Sequence, residues 1–196
     1  MTERGVELVE GDLTITLPAG AVGRRFDDRG GHGLSHCMKA VDFIVELADQ
    51  TYFIEVKDPE NPSAKPKDRA AFLKELMSGV IDADLKLKCR DSWLYEFAEG
   101  RADKPVYYLV LIGASALSDA ELMARTEALK RQLPVSGAAG RPWKRPFVAG
   151  CAVMNLAAWN KTLPHMPVSR VAPLTAVAPR SAPTPPAPGA GPRGGG

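Results

Sequence analysis

Apolar and polar positions alternate strictly over Leu13-Thr14-Ile15-Thr16-Leu17, after a turn signal at Gly11-Asp12 and before Pro18, which predicts a strand. The stretch from Gly20 to about Gly33 is Gly-rich and charged and predicts a loop. Val41 to Leu47 and Thr51 to Lys57 then read as two strands, joined through Ala48-Asp49-Gln50 as a tight antiparallel hairpin. Beyond Pro59 and Pro62 the period lengthens. Phe72, Leu73, Leu76, Met77, Val80 and Ile81 form an apolar stripe at helical spacing, on a helix that opens near Asp68 as its N-cap and packs on a sheet. Helical character continues through Trp93, Leu94 and Phe97, with a break expected near Asp91-Ser92 and a stop at Gly100. Val106 to Ile112 is a continuous apolar run between Pro105 and Gly113, which marks a strand buried on both faces. Ser118-Asp119-Ala120-Glu121 is a capping box opening a helix that ends before Pro134. Phe147 to Met154 predicts another buried strand, and Asn155 to Leu163 a short helix. The order is strand, hairpin, helix, strand, helix, strand, an α/β pattern.

With 196 residues, 45% of them hydrophobic, the chain can bury one sizeable core. We expect a domain over residues 1–171 and a Pro/Ala/Gly-rich tail over 172–196, whose composition buries too little apolar surface to offset the entropy of ordering. A net charge of +2 decides nothing about partners. Cys37, Cys89 and Cys151 are odd in number and widely spaced, which fits neither a disulfide framework nor a zinc site and suggests a reducing, cytoplasmic setting. The charged start, Met1 to Asp12, lacks the apolar core of a signal peptide, and no apolar run approaches membrane-spanning length. A soluble protein without membrane contact is the expectation.

The hairpin carries the chemistry. Phe43, Val45 and Leu47 share a face with Tyr52, Ile54 and Val56, so that face must lie on the core. The other face presents Asp42, Ile44 and Glu46 beside Phe53, Glu55 and Lys57. A turn at Asp49-Gln50 would set Asp42 opposite Lys57 and diagonal to Glu55, whereas a slip by two residues would keep the face and change the pairing. Two carboxylates so placed suit a hard divalent cation, which takes oxygen ligands and tolerates few protein groups. The cation would polarise a phosphoryl oxygen and acidify a bound water, while Lys57 holds that water or neutralises growing charge. The plain alternative is an edge hairpin with a charged solvent face and a modest Asp42–Lys57 ion pair.

Asp42, a spacing of twelve residues and Glu55-Val56-Lys57, on a hairpin followed by a helix and buried strands, resemble the PD-(D/E)XK nuclease superfamily. The resemblance implies a restriction-endonuclease-like αβββαβ-type core with a mixed central sheet flanked by helices. It also implies phosphodiester hydrolysis with Mg²⁺ or Mn²⁺. Asp42 and Glu55 would be the metal-ligating carboxylates, the backbone carbonyl of Val56 a further ligand and Lys57 the catalytic lysine. The substrate would be nucleic acid, DNA rather than RNA. Without a visible reader domain, a catalytic version calls for a homodimer, a partner subunit or low sequence specificity. The competing expectation is a non-catalytic module of the same fold, binding nucleic acid or a partner protein. Val41 stands where the name-giving proline would be, and for an extra acidic ligand Glu7, Glu10, Asp27 and Asp28 are candidates.

Chance supplies roughly one or two acid-x-Lys triplets in a chain this long. Asp84-Leu85-Lys86 is such a match, in a helical stretch without a partner carboxylate, and belongs to a solvated face. His32 and His36 precede the hairpin as loop histidines with local hydrogen bonds, and Gly30-Gly31-His32-Gly33 lacks the lysine of a phosphate-binding loop. Lys65, Lys67 and Arg69, and likewise Lys86, Lys88 and Arg90, read equally as groups that hold a phosphate backbone near the site or as merely solvated basic faces. Asp58-Pro59-Glu60-Asn61-Pro62 reads as a polar turn, and Trp93, Trp143 and Trp159 as core.

Overall fold

The computed structural model describes residues 6–28, 32–135, 137, 141, 143, 144 and 147–171. The expected tail over 172–196, like Gly30 and Gly31 of the glycine-rich loop, lies outside the described residues. Eight strands and four helices are present among them: β1 (Glu7–Glu10), β2 (Leu13–Thr16), β3 (Val22–Arg25), β4 (Phe43–Glu46), β5 (Thr51–Lys57), α1 (Pro66–Ser78), α2 (Asp82–Ala98), β6 (Val106–Ile112), α3 (Asp119–Gln132), β7 (Gly150–Met154), α4 (Leu156–Thr162) and β8 (Val168–Arg170).

A five-stranded mixed sheet runs in the order β3-β4-β5-β6-β7, antiparallel through β3, β4 and β5 and parallel from β5 to β7. The change of sense follows from the connections. A short turn can only join antiparallel neighbours, whereas the returns from β5 to β6 and from β6 to β7 carry helices. A separate antiparallel sheet, β1-β2-β8, forms a second layer. On one face of the large sheet, Ile44, Phe53, Val110 and Ile112 pack with Leu76 of α1, Leu85 and Cys89 of α2, and Leu122 and Leu129 of α3. On the other, Phe43, Val45, Ile54, Val56 and Leu111 pack with Leu13 and Ile15 of β2, Val168 of β8 and Trp159 of α4. The protein is thus α/β, a mixed sheet flanked by helices. No helix among the described residues is long and apolar enough to cross a membrane.

The predicted β6, the Ser118 capping box and the Asn155 start of α4 stand where the sequence put them. Other readings change. Gly20 to Gly33 contains β3, and β1 and β8 are absent from the sequence expectation, because these short strands exist through pairing and not through an apolar pattern of their own. Asp68 lies in the first turn of α1, not at its cap; Lys65 precedes Pro66 there, and Met77 and Val80 of the supposed buried stripe are exposed. The break falls at Gly79, in the left-handed conformation, and not at Asp91-Ser92, which lie inside an unbroken α2. Trp159 is core, its indole N–H donating to the Met166 carbonyl at 2.7 Å, but Trp143 is exposed.

Candidate functional site

The hairpin register differs from the one a turn at Asp49-Gln50 would give. Phe43 pairs with Ile54 and Glu46 with Thr51, and Leu47 N–H donates to the Gln50 carbonyl, so the turn is Ala48-Asp49. The two-residue shift keeps every side chain on its predicted face. Continued by one position, it sets Asp42 opposite Glu55 instead of Lys57. The apolar face lies on the core, as its pattern required, but the opposite face is not a solvent face and the hairpin is not at an edge. Helix α2 covers it, which leaves Asp42 buried and Glu55 with no exposed surface.

Asp84, Lys88, Ser92 and Glu96 recur every fourth residue of α2 and so share one side of the helix. Each makes a contact to another element. Asp84 pairs with Lys39 at 3.2 Å; Ser92 Oγ accepts from Val41 N–H at 3.0 Å; Glu96 meets Arg24 and Arg101. Asp91 adds an acceptor for Lys39 N–H. These contacts pin α2 over the chain entering β4, and Lys88 reaches down between the two carboxylates. Its ammonium is 2.7 and 3.0 Å from Glu55 Oε1 and Oε2, and 3.6 Å from Asp42 Oδ1. Lys57, from β5 itself, is 2.7 Å from Glu55 Oε1. Asp42 Oδ2 accepts from Val56 N–H at 2.6 Å, so Val56 meets the cluster through its amide.

Two carboxylates and two ammonium groups therefore share one buried site. Burial pushes the Asp42 carboxyl up to about 7, helped by the neighbouring Glu55 and more weakly by Asp27, while Lys88 and the Val56 amide oppose the rise. For Lys88, burial alone would lower the ammonium, but Glu55 and Asp42 outweigh it and hold the group above the usual lysine range. Glu55 Oε1 is close to both lysines without an aligned hydrogen bond to either, and the buried hydroxyl of Tyr108, on β6, has no hydrogen-bond partner among the described residues. A hard cation fits these donors: both carboxylates already converge on one positive group, and Glu55 keeps an unaligned oxygen. No group of three or more His, Cys, Asp or Glu suited to a metal is found among the described residues, at this site or elsewhere.

The raised Asp42 value sets a direction for stability. Between about 4 and about 7 the folded protein keeps a proton on Asp42 that the unfolded chain has released, so proton binding favours the folded state there, and this contribution is lost as pH rises through that window. Urea midpoints measured from pH 5 to pH 8 should fall with rising pH in the wild type. They should fall less in Asp42→Asn, whose amide accepts from Val56 N–H but cannot ionise. Equal slopes in the two proteins would remove Asp42 as the source.

Sequence-predicted neighbours divide cleanly. His32 packs its ring against Phe26 and Tyr95 and accepts from Leu34 N–H, a local role, and His36 is exposed. Asp58 is held bidentately by Arg170, which also binds Asp12, and Glu60 accepts from the amide and hydroxyl of Ser115, so the acids following Lys57 tie layers together. Glu10 and Asp27 both pair with Arg25, and Glu7 is exposed on β1. Asp84 of the second triplet pairs with Lys39, and Leu85 is buried, so that triplet is only partly a solvated face. Lys88 enters as a site residue where the sequence offered it only as a phosphate contact or a solvated side chain. The polar series at every fourth residue of α2 was the available signal, since a solvated face has no need to place Ser92 and Glu96 beside the buried Leu85 and Cys89. Comparison with protein-family models, with curated proteins and with solved structures finds no match for the chain.

Proposed function

We propose that this protein is a metal-dependent phosphodiesterase acting on nucleic acid, DNA in preference to RNA, with a restriction-endonuclease-like core. The observation that carries the reading is the convergence of Asp42, immediately before β4, and Glu55, on the adjacent β5, on one buried positive group beside Lys57. Further support comes from the order of elements, an antiparallel three-stranded unit followed by helices and two parallel strands, although the first helix of the expected αβββαβ order has no counterpart among the described residues, where β1 to β5 all precede α1. Asp42 and Glu55 would hold Mg²⁺ or Mn²⁺, with the carbonyl of Val56 as the further ligand that the resemblance to PD-(D/E)XK nucleases implies. Bound there, the ion supplies Lewis acidity toward a phosphoryl oxygen and acidifies a coordinated water. Lys57 keeps 29% of its side chain exposed against 14% for Lys88, so Lys57 is the lysine that faces incoming substrate and neutralises charge growing on the phosphate. Helix α2 buries the carboxylate pair, which strengthens the electrostatic contacts within it.

A non-catalytic module binding nucleic acid or a partner protein is the second reading, favoured by one observation: Lys88 already fills the space between the carboxylates. The discriminating experiment incubates the full chain with single- and double-stranded DNA and RNA, with Mg²⁺, Mn²⁺ or EDTA. Metal-dependent cleavage that drops about 10²-fold or more in Lys57→Ala is the expected result. Binding without cleavage under every condition would favour the module, and cleavage undiminished in Lys57→Ala would remove Lys57 from the chemistry.

A further inference from the structure

Lys88 sits where a cation shared by Asp42 and Glu55 would be drawn, and with both carboxylates ionised the site is electrically balanced, Asp42 and Glu55 facing Lys57 and Lys88. Adding a divalent ion would leave that buried cluster with two surplus positive charges, which a low-dielectric site does not tolerate. One ammonium must then withdraw. Among the described residues the Lys57 ammonium pairs with Glu55 alone and is already partly exposed, whereas Lys88 bridges both carboxylates and so competes directly for the oxygens a metal needs.

We infer that Lys88 is a displaceable counter-ion: it neutralises Asp42 and Glu55 in the free protein, and on metal binding its ammonium leaves them for the phosphate of the bound nucleic acid. The inference rests on the metal-dependent reading above and adds a role for a residue of α2. Lysine is suited to this exchange because its charge rides on a flexible four-carbon stem, so the head can move while the backbone stays fixed. That backbone is fixed here, since Asp84, Asp91 and Ser92 hold the same side of α2 to the segment around Lys39 and Val41. The carboxylates likewise need little rearrangement: Val56 N–H anchors Asp42 through Oδ2, and Glu55 Oε1 is not engaged in an aligned hydrogen bond. Once released, the ammonium would find its strongest partner in the phosphate of a bound nucleic acid.

The test titrates Mn²⁺ into the full chain by isothermal calorimetry, comparing wild type with Lys88→Met and Lys88→Arg, with circular dichroism to confirm folding. Removal of the competing charge should tighten Mn²⁺ binding about tenfold in Lys88→Met, while Lys88→Arg, which keeps the charge, binds no tighter than wild type. Anisotropy of a labelled DNA duplex in Ca²⁺ should show weaker binding by Lys88→Met. If Lys88→Met does not fold, Lys88→Gln, whose amide still donates to Glu55, is read in its place. Mn²⁺ affinity equal to or below wild type in the folded neutral variant overturns the competition, and unchanged duplex binding overturns the phosphate contact. Tighter Mn²⁺ binding with no cleavage by any variant upholds the counter-ion role and overturns the nuclease reading. Absence of Mn²⁺ binding in wild type and neutral variants alike overturns both.

Discussion

Glu55→Gln is expected to lower metal-dependent cleavage by about 10³-fold while leaving the fold in place. Glutamine has the same shape as glutamate and its carbonyl can still accept from Lys88, so the fully buried position stays filled and partnered. What it cannot do is supply a negative oxygen to a cation. The site would then hold one carboxylate, Asp42, against two ammonium groups, a balance that repels a divalent ion. Glu55→Ala is a poorer probe because it also leaves a cavity and strips Lys57 and Lys88 of their shared partner. The paired measurement is Mn²⁺ binding: Glu55→Gln should lose it together with cleavage. A variant that cleaves at the wild-type rate would place the chemistry elsewhere.

Arg125→Ala should destabilise the protein by about 3–5 kcal/mol, the usual cost of leaving one member of a buried ion pair alone. Arg125 of α3 donates to Asp82 at the start of α2, both are buried, and the Arg125 Nε has no aligned partner among the described residues. A side chain at Gly79 would come within 3.2 Å of Asp82 Oδ2 and 3.4 Å of the Arg125 guanidinium. The pair thus fixes the corner between α1 and α2 as well as the packing of α2 on α3. Removing both charges together, as Asp82→Leu with Arg125→Met, should recover most of the loss, because the main penalty is the unpaired charge and not the missing attraction. Urea unfolding of the two variants checks this; Arg125→Ala within about 1 kcal/mol of wild type would show that water reaches Asp82 freely. Since α2 delivers Lys88, the single variant should also disturb metal binding, whereas the double variant should not.

The site was only partly legible in the chain. Alternation over the two hairpin strands fixes which residues share a face of the sheet, because a strand has a period of two and an apolar face cannot be turned to water. That placed Asp42, Glu55 and Lys57 together. The register was not readable, since Ala48-Asp49 and Asp49-Gln50 are both acceptable turns and the face is the same for either. The expected break at Asp91-Ser92 failed for a related reason. Those residues favour turns when their side chains bond the local backbone, but here they bond Lys39 and Val41, far away in sequence.

By itself the sequence determined the α/β class, the long strands and helices, and the face on which the hairpin carries its acids and lysine, because these follow from local periodicity and capping. Tertiary structure alone decided that this face is buried under α2, that Asp42 stands opposite Glu55, and that Lys88 lies between them. Burial and charge pairing across dozens of residues depend on how layers close over one another, and no local pattern encodes that distance.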